Sequence, residues 1–252
     1  MKVIGVTGGV GSGKSRVLAI LKEDFGAKII LADEVARQLE EPGQPGLIRL
    51  TRYFGKEILE EDGTLDRVRL ATIIFRDEKA LEAVNRMIHP LVWETIKEMV
   101  SSMRTSRNVG MSQNGRLPHT GGKLTAAEES VVTAAALEPA EQIIVPVSAP
   151  PVPSVSMPEA VCLTAVESAL FNEQTRSICD QVWLIDTSDE NRIRRLMENR
   201  GYSREKCISI IKNQKSREEF LEFCDVVINN DGSIEQVRQK IHEQLGKQGI
   251  SR

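Results

Sequence analysis

The stretch Gly8-Gly9-Val10-Gly11-Ser12-Gly13-Lys14-Ser15 decides how this chain folds. It has a glycine, four further residues and then Gly-Lys-Ser, a spacing in which successive backbone N–H groups can surround phosphate oxygens. The apolar residues 2–6 precede it as a predicted strand, and a helical pattern follows from Lys14. Because the motif and its strand–helix context are complete, it predicts a phosphate-binding loop rather than a glycine turn that only links two elements.

Two side chains of this loop have expected roles toward a bound triphosphate. Lys14 would reach the β and γ phosphates, and Ser15 would offer its hydroxyl to Mg²⁺. The dipole of the helix that follows favours negative charge at its N-terminus. ATP as co-substrate and Mg²⁺ as metal are therefore expected.

Strands and helices alternate along most of the chain. Further strands are predicted at residues 27–31, 161–166, 181–186 and 225–228, and a last helix opens with Ser233 and Gln236 as a capping box. This alternation predicts an α/β fold with a mainly parallel five-stranded sheet flanked by helices, and the phosphate-binding loop after the first strand indicates that it is of the P-loop kinase type. The expected nucleotide-binding core comprises residues 1–34 and 161–252, with a lid at about 191–215. A helical acceptor domain, residues 35–100, is inserted between strands and is interrupted at His89-Pro90 among other breaks.

Residues 101–160 differ abruptly in composition from the rest. They are rich in Ser, Ala, Gly, Pro and Val, which predicts a flexible or loosely ordered insertion, with a weak helix at 125–137 and a strand at 142–147 as exceptions. The chain must enter the third strand at its amino end, whereas nucleotides bind beyond the carboxyl ends of parallel strands. We therefore expect the insertion to lie away from the active site, so that deleting residues 106–158 leaves both Michaelis constants unchanged.

Bulk composition is that of a soluble, cytoplasmic protein. The 252 residues are 40% hydrophobic and 27% charged, without an apolar run long enough for a membrane helix or a signal peptide. The 4 cysteines are widely spread and form no metal-binding pattern, which fits a reducing compartment. A formal net charge of -3 gives no basic footprint for nucleic acid. We expect a monomer or small homo-oligomer that binds anions through local clusters.

Asp33 is the candidate catalytic carboxylate. The sequence lacks the Asn-Lys-x-Asp guanine reader of translation-factor-like GTPases, and a strand that ends just before Asp33 suits small-molecule kinases. A carboxylate there can accept a hydrogen bond from the attacking hydroxyl and hold it in line with the γ-phosphate. Asp33 could also be the N-cap of the next helix, a role that is compatible with the first.

A basic cluster lies in residues 191–204, which contain five arginines. They could close over a bound triphosphate and donate hydrogen bonds to the transferred phosphoryl group. Alternatively, they form a solvated helix face paired with neighbouring acids. We expect one or two of them to contact phosphate and the others to lie at the surface.

Motifs far from the loop complete a more specific pattern. They are Ala32-Asp33, Glu41-Pro42-Gly43-Gln44-Pro45-Gly46, Asp62-Gly63-Thr64-Leu65-Asp66-Arg67, His89-Pro90, Glu167-Ser168-Ala169-Leu170, Arg195-Leu196-Met197, Arg200, Gln214 and Asp225-Val226-Val227-Ile228-Asn229-Asn230. Together with Thr7 and the loop, they resemble the dephospho-CoA kinase family over nearly the whole chain except residues 101–160. Where that family often has Asp-Ala-Asp, this chain has Leu31-Ala32-Asp33, which keeps the second acid.

The resemblance implies transfer of the γ-phosphate of ATP to the ribose 3′-hydroxyl of dephospho-CoA, the last step of coenzyme A synthesis. By this similarity Asp33 orients or deprotonates the hydroxyl, while Lys14 and the lid arginines neutralise the transferred group. Besides the loop, the resemblance implies four ATP-binding or catalytic residues, which are Arg16, Arg195, Arg200 and Asn230. It assigns Asp33, Arg67 and His89 to the acceptor.

Alternative interpretations remain open at the level of sequence. Pro90 could begin a new helix after a turn at His89, which would leave the histidine a structural role. The enzyme could act on another small molecule, nucleoside or nucleotide. A non-catalytic ATP-binding module is a third possibility, although such a module would not require the acceptor-side carboxylate of Asp33.

Overall fold

The computed structural model describes residues 1–109, 163–169, 171–172 and 176–250. The helix predicted at 125–137 and the strand predicted at 142–147 lie outside the described residues, as does most of 101–160. Within the described ranges, no helix combines the length and the apolar character needed to cross a bilayer.

Five strands of the described chain form one parallel sheet, in the order β2-β3-β1-β4-β5. Their bounds are β1 Lys2–Thr7, β2 Lys28–Leu31, β3 Leu163–Glu167, β4 Gln181–Asp186 and β5 Val226–Asn229. Glu167 lies beside Val6 on one side and beside Leu31 on the other. The predicted parallel five-stranded sheet is therefore confirmed, and the carboxyl ends of β1, β2 and β3 lie at the same edge.

Helices cover both faces of the sheet. In the first half of the chain these are α1 Lys14–Phe25, α2 Ala32–Leu39, α3 Pro45–Phe54, α4 Arg67–Arg76 and α5 Glu78–Val109. After β4 come α6 Asp189–Arg200, α7 Arg204–Lys212, α8 Arg217–Leu221 and α9 Ile234–Gly246. The block from α2 to α5 thus lies in sequence between β2 and β3.

Two apolar clusters fix the sheet between its helices. Alternate residues of β1 point to opposite faces, so Ile4 packs with α1 and α9 whereas Val3 packs with α2 to α5. Both side chains are fully buried, as is Trp183 of β4. Each such side chain contributes roughly 1.5–3 kcal/mol of hydrophobic stabilisation. This packing holds the carboxyl edge of the sheet rigid enough to carry a site.

Polar contacts join α1 to α9 across the outer layer. The Asp24 carboxylate accepts a hydrogen bond from Arg238 and lies 2.7 Å from His242 Nε2. These partners, His242 above all, hold the pKa of Asp24 below its ordinary value. α9 begins with the predicted capping box, in which Ser233 and Gln236 exchange hydrogen bonds.

α5 is a single helix that passes through Pro90. The predicted break at His89-Pro90, with a new helix beginning at Pro90, is therefore wrong. A proline inside a helix removes one backbone hydrogen bond and costs about 3 kcal/mol, but Ile88, Leu91 and Val92 are buried on either side of it in the same cluster. Their packing offsets the local cost, and the helix continues to Val109.

Candidate active site

The predicted phosphate-binding loop joins β1 to α1 at the carboxyl edge of the sheet. Gly11 and Gly13 have φ angles of 80° and 89°, a conformation that glycine adopts without strain. A Cβ atom on Gly13 would lie 2.2 Å from Asn230 Nδ2, and one on Gly11 would lie 2.9 Å from the Arg192 carbonyl oxygen. The glycines are therefore required both by the backbone and by the close approach of neighbouring elements.

The Ser12 carbonyl is the point at which the rest of the core holds the loop. It accepts hydrogen bonds from Thr187 Oγ1 at 2.9 Å, Asn230 Nδ2 at 2.7 Å and Arg195 Nη1 at 3.0 Å. Thr187 directly follows β4, Asn230 directly follows β5, and Arg195 lies in α6. Sequence reasoning missed Thr187, although its place directly after a buried strand could have indicated it.

Asn230 is fully buried and contacts the loop from below. Besides its bond to Ser12, its Oδ1 accepts a hydrogen bond from Arg16 Nη1 at 3.4 Å. Asn230 therefore fixes the shape of the loop, and its part in ATP binding stays a prediction. Arg16 itself lines a neighbouring cavity of ≈ 440 Å³ together with Arg195 and Gly232.

Lys14 lies between the loop and the end of β3. Its Nζ donates a hydrogen bond to the Gly8 carbonyl at 2.9 Å and lies 3.5 Å from Glu167 Oε1. Burial raises the pKa of Glu167, the Lys14 ammonium opposes that shift, and the Asp33 carboxylate adds to it. Glu167 was quoted from the sequence only as part of a motif, because its proximity to Lys14 depends on β3 lying beside β1.

One cavity of ≈ 460 Å³, the phosphate cavity, brings together all three residues predicted to be catalytic, Lys14, Asp33 and Arg195. It opens in front of the loop and reaches the ends of β2 and β3. Its lining includes Gly9, Val10, Gly11, Gly13, Lys14, Ser15, Asp33, Glu167, Arg195 and Arg200.

Asp33 occupies the first turn of α2, with an exposed side chain that lines the phosphate cavity. The N-cap of α2 is Leu31, so the alternative in which Asp33 caps this helix is wrong. The reason is that α2 begins directly after β2, which places Asp33 inside the helix rather than before it. Its negative charge there interacts favourably with the helix dipole.

The arginines of α6 divide into two groups. Arg195 binds the loop through Ser12 and also donates to the Asn230 carbonyl at 2.6 Å, while Arg200 lines the phosphate cavity without such a backbone anchor among the described contacts. Arg204, just after α6, pairs with Glu190 at the surface. The surface interpretation therefore holds for Arg204, whereas phosphate contact by Arg195 and Arg200 stays a prediction.

Arg192 and Gln214 hold the loop at a second point, the backbone of Val10. Arg192 Nε donates to the Val10 carbonyl at 3.0 Å, and its Nη2 donates to Gln214 Oε1 at 2.6 Å. The same Gln214 oxygen accepts from the Val10 N–H at 3.0 Å. Neither residue was among the predicted site residues, because only the fold brings residue 214 to the loop.

The two other residues predicted to bind the acceptor lie apart from the phosphate cavity. His89 lines a separate cavity of ≈ 570 Å³, the His89 cavity, with Arg86, Trp93 and Lys97. Burial lowers the pKa of His89, which favours the neutral imidazole. Arg67 begins α4 and forms an ion pair with Glu40 at 2.5 Å.

Comparison with known proteins gives one consistent family. The family model described as dephospho-CoA kinase matches residues 2–113 and 155–236. A dephospho-CoA kinase of Carboxydothermus hydrogenoformans is 30% identical over 241 residues, which cover 96% of this chain and 91% of that protein. The unmatched residues 114–154 lie within the segment whose composition is unusual.

Solved structures with similar folds were also found. The crystal structure of TT1252 from Thermus thermophilus has a TM-score of 0.63 at 24% identity and covers 98% of this chain and 97% of that one. A dephospho-CoA kinase from Campylobacter jejuni has a TM-score of 0.58 at 20% identity, with 99% and 100% covered. Both similarities support the fold.

Proposed function

The chain belongs to the dephospho-CoA kinase family, and on that premise we propose that it transfers the γ-phosphoryl group of ATP to the ribose 3′-hydroxyl of dephospho-CoA. The products are coenzyme A and ADP, and the proton of the hydroxyl is released. The observation that carries this proposal is the phosphate cavity, in which the loop, Asp33 and two arginines surround one space. Phosphoryl transfer depends on positioning and charge neutralisation, which such an arrangement supplies.

On the nucleotide side, backbone N–H groups of the loop and the N-terminus of α1 bind the phosphates. Lys14 neutralises charge on the β and γ phosphates, and Arg195 and Arg200 donate hydrogen bonds to the phosphoryl group that is transferred. Since Arg195 also donates to Ser12, it couples the arginine helix α6 to the shape of the loop.

On the acceptor side, Asp33 accepts a hydrogen bond from the 3′-hydroxyl and holds its oxygen in line with the γ-phosphate. The transition state is loose, so the hydroxyl proton leaves late and orientation contributes more than early deprotonation. The exposed carboxylate in the first turn of α2 is accessible to an incoming ribose.

The residues present fit a magnesium ion. Kinase sites hold Mg²⁺ with one or two protein ligands together with substrate phosphates, and Ser15 has an exposed side chain on the lining of the phosphate cavity. Its hydroxyl would hold the ion. When bound, Mg²⁺ neutralises charge on the phosphate oxygens.

The remainder of dephospho-CoA carries a pyrophosphate and apolar parts, and the His89 cavity has matching chemistry. Arg86 and Lys97 supply positive charge, Trp93 supplies an aromatic face, and neutral His89 can accept or donate a hydrogen bond. Arg67 belongs to the same helical block and would contribute a third cation near the acceptor.

A cytoplasmic location is part of this proposal. Cys179, Cys207 and Cys224 are free thiols, and unpaired cysteines are typical of reducing compartments.

A coupled assay that follows ADP formation from ATP and dephospho-CoA tests the function. Wild-type protein is expected to turn over dephospho-CoA, and Asp33→Asn is expected to lower kcat by about 10²–10⁴-fold with little change in ATP affinity. Glu34→Gln removes a neighbouring exposed carboxylate of the same helical turn and serves as the matched control, with near-wild-type kcat.

The same assay separates the alternatives. Turnover of a nucleoside, a nucleotide or a small hydroxy acid in preference to dephospho-CoA would assign a different substrate on the same fold. ATP binding without turnover of any acceptor would indicate a non-catalytic module and refute the proposal.

A further inference from the structure

Glu167 is a second carboxylate in the phosphate cavity, and the reaction described so far gives it no role. It ends β3, the strand that lies between β2 and β1, and its side chain is only 16% exposed. Its neighbours in the sheet are Val6, just before the loop, and Leu31, just before the helix of Asp33. It therefore stands between the nucleotide side and the acceptor side of the cavity.

The contact that gives Glu167 a role is the one with Lys14. A lysine ammonium has three N–H donors on a flexible stem and no fixed orientation of its own. Here one donor is directed to the Gly8 carbonyl at 2.9 Å, and the Glu167 carboxylate lies 3.5 Å away on another side. With two directions fixed in this way, the third donor is left for a phosphate oxygen.

We propose that Glu167 is a positioning residue for phosphoryl transfer, whose carboxylate holds the Lys14 ammonium in place so that it meets the transferred phosphate correctly oriented. The inference rests on the proposed function. Lys14 is 18% exposed, so the pair is shielded from solvent and weakly screened by salt.

The charge of Glu167 also gives the proposal a distinctive kinetic signature. A carboxylate beside a triphosphate repels it, so its removal should not weaken ATP binding even though the lysine loses its orientation. Glu167→Gln is therefore expected to lower kcat at least tenfold while the KM for ATP stays the same or falls. A residue that merely shaped the binding site would raise that KM.

The pH dependence of kcat provides a second readout. The charged groups that face Glu167 in the cavity are Lys14, Asp33, Arg195 and Arg200. Burial and the Asp33 carboxylate raise the pKa of Glu167 above its ordinary value of 4.5, so its hold on Lys14 is present above that raised pKa and is lost as the pH falls through it. Wild-type kcat should decline on the acid side, and Glu167→Gln should lack that part of the decline.

The experiment compares Glu167→Gln, Glu167→Asp and the control Glu98→Gln, which removes an exposed carboxylate of α5 that lines neither the phosphate cavity nor the His89 cavity. For each we would measure kcat, the KM for ATP, the pH profile and thermal stability. Glu167→Asp should recover part of the lost kcat, and Glu98→Gln should match the wild type. A kcat for Glu167→Gln within twofold of wild type, or a kcat loss accompanied by a raised KM for ATP, overturns the proposal.

Chemical labelling of Lys14 tests the same contact without turnover. Glu167→Gln removes the ion-pair partner that holds Lys14 Nζ in place, so an amine-acylating reagent should reach and modify Lys14 several-fold faster, as measured by mass spectrometry. An unchanged rate refutes the contact even if dephospho-CoA is the substrate, whereas a faster rate without any turnover refutes the function and keeps the contact. If Glu167→Gln does not fold, Glu167→Ala, which also removes the carboxylate, is labelled instead, and the same two outcomes apply.

Discussion

Gly13 shows how one residue can carry two constraints at the site. Its φ of 89° favours glycine, and the space where a Cβ would stand is occupied by Asn230 Nδ2 at 2.2 Å. The first constraint is local, since it belongs to the loop motif, whereas the second exists only because the segment after β5 packs under the loop.

Gly13→Ala therefore tests the loop against a matched control. Gly63→Ala places the same side chain at a φ of 82° where nothing lies within 4 Å, so it should cost about 1–2 kcal/mol of backbone strain and leave the KM for ATP unchanged. Gly13→Ala should add displacement of Asn230 to that strain and raise the KM for ATP at least tenfold. Equal effects of the two substitutions on this KM would contradict the close contact.

His89 gives a prediction about stability and pH. Burial lowers its pKa below the ordinary value of 6.5, so the unfolded chain binds the proton more readily than the folded protein. The neutral histidine contributes stability that is present above pH 6.5 and is lost as the pH falls through the lowered pKa. Wild type should thus lose more stability than His89→Gln between pH 7.5 and 5.5.

Urea denaturation at the two pH values measures this difference. His242, which contacts Asp24 on the opposite layer, provides the control position through His242→Gln. If the wild type lost no more stability than His89→Gln between the two pH values, His89 would be protonated in the folded state.

At the scale of the element, α5 shows tertiary packing overriding a local signal. Pro90 is a strong helix breaker by sequence, yet the helix is continuous from Glu78 to Val109. Buried apolar residues on both sides of the proline belong to one cluster with the sheet. The apolar packing around Pro90 therefore contributes more stability than the missing backbone hydrogen bond costs.

Pro90→Ala should restore that hydrogen bond and raise the free energy of unfolding by about 1–3 kcal/mol. The control is Pro45→Ala, because Pro45 stands at the first position of α3 where proline is favourable. Pro45→Ala should not raise the free energy of unfolding. Guanidinium denaturation of both variants provides the comparison, and a destabilised Pro90→Ala would mean that the proline ring is itself required for packing.

At the scale of the whole molecule, parallel topology places the site and the start of β3 at opposite edges of the sheet. All described strands run in one direction, the site lies at their carboxyl ends, and β3 is entered at Leu163, its amino end. The family model leaves residues 114–154 unmatched.

Deleting residues 114–154 and joining the ends with a short Gly-Ser linker should leave the KM for ATP and the KM for dephospho-CoA within twofold of the full chain. The narrower deletion keeps all of α5, which the wider one over residues 106–158 would truncate. Steady-state kinetics and a thermal melt of both proteins measure the outcome. A several-fold rise in either KM would place the segment in contact with the site.

The phosphate-binding loop, the five strands, the capping box of α9 and the position of Asp33 just after β2 could all be read from the sequence. Each of these features depends on residues close together in the chain, where spacing and local conformation determine structure. The contacts of Glu167 and Gln214 could not be read in this way, because they depend on strand order and on which helix packs against the loop. Pro90 was misread for the same reason, since its local signal opposes the long-range packing that prevails. The sequence by itself determined the phosphate-binding loop and the place of Asp33 after the second strand, and these predict a triphosphate bound beside an acidic acceptor site. Only the tertiary structure decided which side chains hold the lysine and the loop, because those contacts join segments more than 150 residues apart in the chain.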